Sequence, residues 1–137
     1  MSMVLTPTGF LKIGGAILLA LGLIGVTGIT NGIEFFNLDA GENVAHTVLG
    51  VVGLAVGFGI KDVRVHRGLV AVLAITALLT GIVGFFLPAG SFTNGNVFGV
   101  ANLENPSDNL LHVVVGIWAA VAVMRGSSEP EMATQRA

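Results

Sequence analysis

The sequence contains no cysteine, and only 10% of its 137 residues are charged. The absence of cysteine excludes disulfides, thiolate metal sites, iron–sulfur clusters and cysteine nucleophiles. A soluble domain carries about 25% charged residues, whereas this chain is 53% hydrophobic and has a mean hydropathy of +0.89. A net charge of −2 gives no basis for nucleic-acid binding. The composition therefore predicts a polytopic membrane protein.

Four segments are apolar for long enough to cross a bilayer, which requires about 20 residues. They are residues 10–29, 43–60, 68–87 and 109–124. Lipid offers no partner to backbone N–H and C=O groups, and the segments are longer than the strands of a membrane barrel, so all four are expected to be helices. The expected fold is all-α, with one four-helix transmembrane domain over residues 1–125 and a disordered cytoplasmic tail at 126–137.

The basic residues lie on one side of these spans. They are Lys12, near the start of the first span, Lys61, Arg64 and Arg67, between the second and third, and Arg125 and Arg136, after the fourth. The connections 30–42 and 88–108 contain no Lys or Arg. By the positive-inside rule, both termini are expected on the cytoplasmic side of the plasma membrane. The first span is too long for a signal-peptide core and lacks a clear cleavage site.

An internal repeat is indicated by the openings of the second and fourth spans. One reads Glu42-Asn43-x-x-His46 with Gly50 four residues later, and the other reads Asp108-Asn109-x-x-His112 with Gly116 four residues later. We interpret the chain as two helical hairpins, at about 8–62 and 66–125. Because both hairpins start and end in the cytoplasm, a pseudo-two-fold axis along the membrane normal is expected, with the two histidines at equal depth.

Small residues mark the expected helix contacts, because helices associate in lipid through close backbone approach. Gly53 and Gly57 form a G-x-x-x-G pair on the second span, and Gly116 and Ala120 form its counterpart on the fourth. We expect these residues and Gly50 to pack helices within the bundle. The expected partner of the chain is the lipid bilayer. The same helix faces could also contact a second copy of the chain in a homo-oligomer, or a larger membrane complex.

His46 and His112 are the only titratable side chains well inside the predicted spans, and such groups normally face the bundle interior. On each helix the preceding acid and Asn lie on the same face as the histidine, so the candidate polar site comprises Glu42, Asn43, His46, Asp108, Asn109 and His112. The plainest interpretation is that hydrogen bonds of these residues close the outer end of the bundle.

Three other uses of the paired imidazoles stay open. They could ligate a metal such as zinc or copper, with Glu42 or Asp108 as a further ligand or as the acceptor that fixes the tautomer. They could bind a haem, with Gly50 and Gly116 leaving room for a flat ring. They could instead form a proton or substrate relay in a small transporter. His66, among basic residues, is expected to be solvated or to contact lipid headgroups.

The two Asn-x-x-His motifs, each heading an apolar, glycine-rich helix, resemble a widespread prokaryotic family that is known as a domain of unknown function. The resemblance covers nearly the whole chain and implies a four-helix membrane protein with a duplicated motif. It implies no substrate, cofactor or reaction, and the longer outer loop at 89–108 departs from the family pattern. The expected function is a non-enzymatic structural or accessory membrane component without a cofactor; the alternative is a metal- or haem-binding redox protein.

Overall fold

The computed structural model of the chain describes residues 2–30, 33, 38–87, 102–103 and 106–126. A short 3₁₀ helix, Met3–Leu5, precedes four α-helices: α1 (Pro7–Val26), α2 (Ala40–Gly59), α3 (Val63–Gly84) and α4 (Ser107–Gly126). No β-strand occurs in these ranges. All four helices are long and apolar enough to span a membrane, so the predicted all-α fold with four such helices is confirmed. The outer loop at 89–108 lies mostly outside the described residues, as does the tail from 127 onward.

Local capping explains why the helices begin before the predicted spans do. The Thr6 side chain accepts a hydrogen bond from the Gly9 N–H, and Pro7 occupies the first position of α1, where its missing N–H costs nothing. Asp62 caps α3 in the same way, accepting from the Arg64 N–H. Both α1 and α3 therefore begin directly after a polar capping residue that hydropathy alone assigns to the preceding loop.

The end of α1 is set by Gly28. Its φ of 72° lies in the left-handed region that glycine adopts without strain, and its N–H donates to the Gly25 carbonyl. The Thr27 hydroxyl donates to the Ile24 carbonyl in the same turn. These bonds satisfy carbonyls at the helix end and stop α1 at Val26.

The helices pack as two antiparallel hairpins, α1 with α2 and α3 with α4. Gly15 lies against Gly50 and Leu54 of α2, so that an added Cβ would stand 3.0 Å from the Leu54 nitrogen. In the second hairpin Gly81 lies against α4, and an added Cβ would stand 2.6 Å from the Asn109 carbonyl oxygen. Backbone-to-backbone contact at glycine therefore holds each hairpin together.

The two hairpins share one core and point the same way. Its buried members come from α1, α3 and α4: Phe10, Leu11, Val70, Ala74, Ala119 and Ala122. The Phe10 ring also meets Trp118 edge to face, with ring centroids 4.6 Å apart, and the Trp118 indole N–H donates to the Val4 carbonyl at 2.8 Å. The starts of α1 and α3 therefore lie together, at the end of the bundle where α4 finishes.

The two ends of the bundle differ in charge. We call one the basic end, because it carries all five described basic residues: Lys12, Lys61, Arg64, Arg67 and Arg125. We call the other the acidic end, because it carries three of the four described acids: Asp39, Glu42 and Asp108. The helix surfaces between them expose large apolar side chains, Ile75, Leu79, Val114 and Ile117 among them.

Candidate functional site

A cluster of polar side chains lies at the acidic end, where α2 and α4 begin. We call it the polar cluster and define it as Asp39, Glu42, Asn43, His46, Asn102, Asp108, Asn109 and His112. Several members are almost fully removed from the surface: Glu42 is 5% exposed, Asp108 8% and Asn109 0%. Burying such groups costs free energy unless they are hydrogen-bonded, so their partners determine what the cluster does.

Asp39 connects the two hairpins. Its Oδ1 accepts from the Glu42 N–H while Glu42 Oε2 accepts from the Asp39 N–H, both at 2.8 Å, which forms a capping box at the start of α2. Asp39 Oδ2 accepts from the Asn102 N–H of the other hairpin, also at 2.8 Å. One carboxylate thus caps a helix and ties the segment before α4 to it.

Each motif asparagine packs on a glycine of the neighbouring helix. The amide oxygen of Asn43 lies against Gly25, and that of Asn109 against Gly84, so closely that a Cβ on either glycine would collide with it. Neither oxygen has a conventional hydrogen-bond partner in the described part of the chain. The contact is of the Cα–H···O type, which recurs at helix interfaces and is worth about 0.5–1 kcal/mol.

The two amide nitrogens differ. Asn43 Nδ2 donates to the Leu38 carbonyl at 3.4 Å, which holds the chain before α2 against the helix. Asn109 Nδ2 is buried and finds no partner among the described residues. The asparagines therefore fix the spacing of the helices in both hairpins, and Asn43 also fixes the position of the loop before α2. Two leucines of the same end are buried beside them, Leu38 at 7% exposure and Leu103 at 3%.

The two motif histidines lie at matching positions near the starts of α2 and α4. His112 Nδ1 donates to the Asp108 carbonyl of its own helix at 2.7 Å. A carbonyl only accepts, so Nδ1 carries the proton and the Nε2 lone pair of a neutral His112 ring is left for another group. His46 Nδ1 is buried and has no partner within the described ranges.

The two motifs differ in what lies beside the histidine. Glu42, which the metal-binding alternative would use as a co-ligand or a tautomer-fixing acceptor, caps α2 with its Oε2, and His46 Nδ1 has no partner among the described residues. In the second hairpin, His112 is oriented by the Asp108 backbone oxygen. Among the described residues, the printed hydrogen bond that joins the hairpins at this end runs from the Asn102 N–H to Asp39 Oδ2.

The room for a macrocycle beside Gly50 and Gly116 is not there. A Cβ on Gly50 would collide with the backbone of Leu19, and a Cβ on Gly116 would stand 2.9 Å from the Leu78 nitrogen. The neighbouring helix covers both glycines, so neither leaves space for a flat ring. Within the described ranges, no three His, Asp or Glu side chains form a group that could hold a metal ion.

The other small residues expected at helix contacts lie as follows. A Cβ on Gly53 would stand 3.3 Å from the Leu11 carbonyl oxygen, and Gly57 lies against Leu11 and Lys12, so both face α1. Ala120 is half-buried against the shared core. Gly53, Gly57 and Ala120 therefore all lie at contacts between helices of the same bundle.

His66 corrects the prediction of a solvated side chain. It is 3% exposed, and its Nε2 donates to the carbonyls of Val56 at 3.0 Å and Ile60 at 2.9 Å, while Nδ1 pairs with the Thr8 hydroxyl at 2.7 Å. The ring joins α1, the end of α2 and α3. A signal was present: His66, Val70 and Ala74 recur every four residues and share the buried face of α3.

Comparison of the chain with protein families, with curated proteins and with solved structures finds no match. The resemblance carried by the two Asn-x-x-His motifs stays a prediction.

Proposed function

We propose that this chain is a multi-pass protein of the plasma membrane with both termini in the cytoplasm. It acts as a non-enzymatic structural or accessory component, built from two repeated hairpins. The observation that carries the location is the arrangement of charge around four apolar helices. All five described basic residues lie at one end and three of four described acids at the other, with exposed apolar side chains between.

Matched contacts support the internal repeat. Gly25 meets the Asn43 amide oxygen in the first hairpin, as Gly84 meets that of Asn109 in the second. One turn earlier, Gly22 of α1 meets the Asn43 carbonyl oxygen, and Gly81 of α3 meets that of Asn109. These contacts lie at equivalent places in two hairpins of the same direction, as a pseudo-two-fold axis along the membrane normal requires.

The location can be tested by cysteine labelling, since the chain has no cysteine of its own. Single cysteines replace Ile33 and Lys61, which are exposed residues from opposite ends of the bundle. In intact cells, a membrane-impermeant maleimide should label Ile33→Cys and reach Lys61→Cys only after permeabilisation. The reverse pattern would refute the orientation, and equal labelling of both in intact cells would refute the membrane-spanning arrangement.

The hydrogen bonds of the polar cluster support the structural role, because they connect helices to one another. The Asp39 carboxylate bonds to the start of its own helix and to the other hairpin, and the asparagines set the helix spacing. Polar groups that hold helices in one arrangement need no substrate. If this role is right, Asn43→Ala and Asn109→Ala lower the stability of the purified protein, and the wild type carries neither stoichiometric metal nor a haem absorption band.

A metal-binding function is the second candidate, favoured by the two imidazoles. His46 has a buried nitrogen with no partner in the part of the chain that the structure describes, and a neutral His112 presents the Nε2 lone pair. Imidazole nitrogen binds zinc and copper. Metal analysis of protein purified without chelators, beside His46→Ala and His112→Ala, separates the two functions. If one metal ion binds per chain and is lost in both variants, the metal-binding function replaces the structural proposal. Among the described residues, no contact favours a haem or a relay.

A further inference from the structure

We propose that the basic end is a preorganised binding surface for the phosphate-bearing headgroup of an anionic phospholipid. We call this surface the basic patch and define it as Lys12, Phe58, Lys61, Arg64 and Arg67. The inference rests on the proposed membrane location and adds a lipid class to it.

Two cations of the basic patch, Lys61 and Arg67, carry charge that no described acid pairs with. Both side chains are exposed. Asp62 is the only described acid at this end, and its carboxylate accepts from the Arg64 backbone N–H as the cap of α3. The acid is thus engaged by the helix terminus, and the cations outnumber it.

Lys12 brings a charge from inside α1 to the same place. Its stem packs along α2, where its Cγ lies 3.1 Å from the position of a Cβ on Gly57. Its ammonium sits 4.3 Å from the centroid of the Phe58 ring, a cation–π contact. Lysines near the end of a membrane-spanning helix commonly pack the aliphatic part of the side chain on apolar surface while the ammonium group reaches the polar interface.

His66 fixes the turn that carries the remaining cations. Its Nε2 donates to the carbonyls of Val56 and Ile60, and its Nδ1 pairs with the Thr8 hydroxyl. These bonds connect the turn between α2 and α3 to α1. Lys61 follows Ile60 in sequence, and Arg67 follows His66, so both are attached to the backbone that this ring holds. A surface that is already ordered loses less conformational entropy when a ligand binds.

The surroundings select a lipid over a soluble phosphate compound. Phe58 is 70% exposed, and Val63, beside the patch, is 63% exposed. Acyl chains would cover these apolar groups while the phosphate meets the cations, whereas a soluble ligand would leave them bare. Basic residues near an anionic membrane surface contribute about 1 kcal/mol each, which corresponds to about fivefold in affinity.

The test measures binding of phosphatidylglycerol and of phosphatidylcholine with the same acyl chains to the full chain in detergent, by native mass spectrometry. We expect tighter binding of phosphatidylglycerol, weakened about 30-fold in the double variant Lys61→Gln, Arg67→Gln, at about fivefold per charge. The charge-conserving double variant Lys61→Arg, Arg67→Lys should retain it. Arg125→Gln removes the one described basic residue that is not part of the basic patch and should leave binding within twofold of the wild type.

Each contrary result has a distinct meaning. Equal binding of the two lipids, or an unchanged affinity in the double glutamine variant, overturns the lipid site while the labelling pattern at residues 33 and 61 keeps the membrane location. Equal competition by soluble glycerol phosphate shows a soluble ligand and also overturns it. If labelling places the chain outside the membrane, the proposed function fails first, whatever lipid binds in detergent.

Discussion

Replacing Gly50 with alanine tests how closely α1 and α2 approach. The new Cβ would stand 2.8 Å from the Leu19 Cα and would also collide with the Leu19 nitrogen. Neither atom belongs to a flexible side chain, so the helices must move apart. Overpacking of this kind costs about 1–3 kcal/mol. Alanine is also the better helix former by about 1 kcal/mol, which offsets part of that cost.

Gly68→Ala is the matched control. Gly68 lies within α3, and nothing stands within 4 Å of the position of its Cβ. It carries the same gain in helix propensity without a collision, so the difference between the two variants isolates the collision. We expect the free energy of unfolding of Gly50→Ala to lie about 1–3 kcal/mol below that of Gly68→Ala.

The measurement is equilibrium unfolding in mixed micelles, with a denaturing detergent as the titrant and far-UV circular dichroism as the signal. Gly116→Ala should resemble Gly50→Ala, because its Cβ would stand 2.9 Å from the Leu78 nitrogen. Equal unfolding free energies for Gly50→Ala and Gly68→Ala would refute the close contact of α1 with α2, and with it the reason that the helices pair.

Three further changes separate other contacts in the same unfolding assay. Gly53→Leu puts a branched side chain where a Cβ alone would lie 3.3 Å from the Leu11 carbonyl oxygen of α1. The free energy of unfolding should fall by about 1–3 kcal/mol, and an unchanged free energy would count against this contact. Asp39→Asn keeps a capping side chain but removes the charged acceptor of the Asn102 N–H, so a loss of about 1.5–3 kcal/mol is expected, and a loss near zero shows that the connection between hairpins is dispensable. His66→Ala removes three hydrogen bonds, one to α1 and two to the end of α2, and should cost about 2–3 kcal/mol, against about 1 kcal/mol for Thr8→Val, which removes one bond; equal losses would show that the bonds to the end of α2 contribute nothing.

Hydropathy predicts the number of helices well because the apolar content of a span is a local property. It misplaces the ends because capping is a matter of single polar residues. Span two was predicted to start at residue 43, yet α2 starts at Ala40 because Asp39 and Glu42 form the capping box. Span three was predicted from residue 68, yet α3 starts at Val63 with two arginines in its first turns.

The polar contacts were harder to predict because their partners lie far apart in sequence. The bond between Asp39 and Asn102 joins residues 63 positions apart, and His66 reaches Thr8 across 58. Gly50 was expected at a helix contact, and room for a flat ring beside it was left open as an alternative, since a missing side chain leaves a gap on an isolated helix. In the bundle the backbone of the neighbouring helix fills that gap.

Trp118 is the chain's single tryptophan, and the chain has no tyrosine. Because its ring rests on Phe10 and its indole N–H is bonded to the Val4 carbonyl, its fluorescence reports on the place where the two halves of the molecule meet. Emission that shifts before the ellipticity is lost would reveal an intermediate in which both helix pairs persist but have come apart.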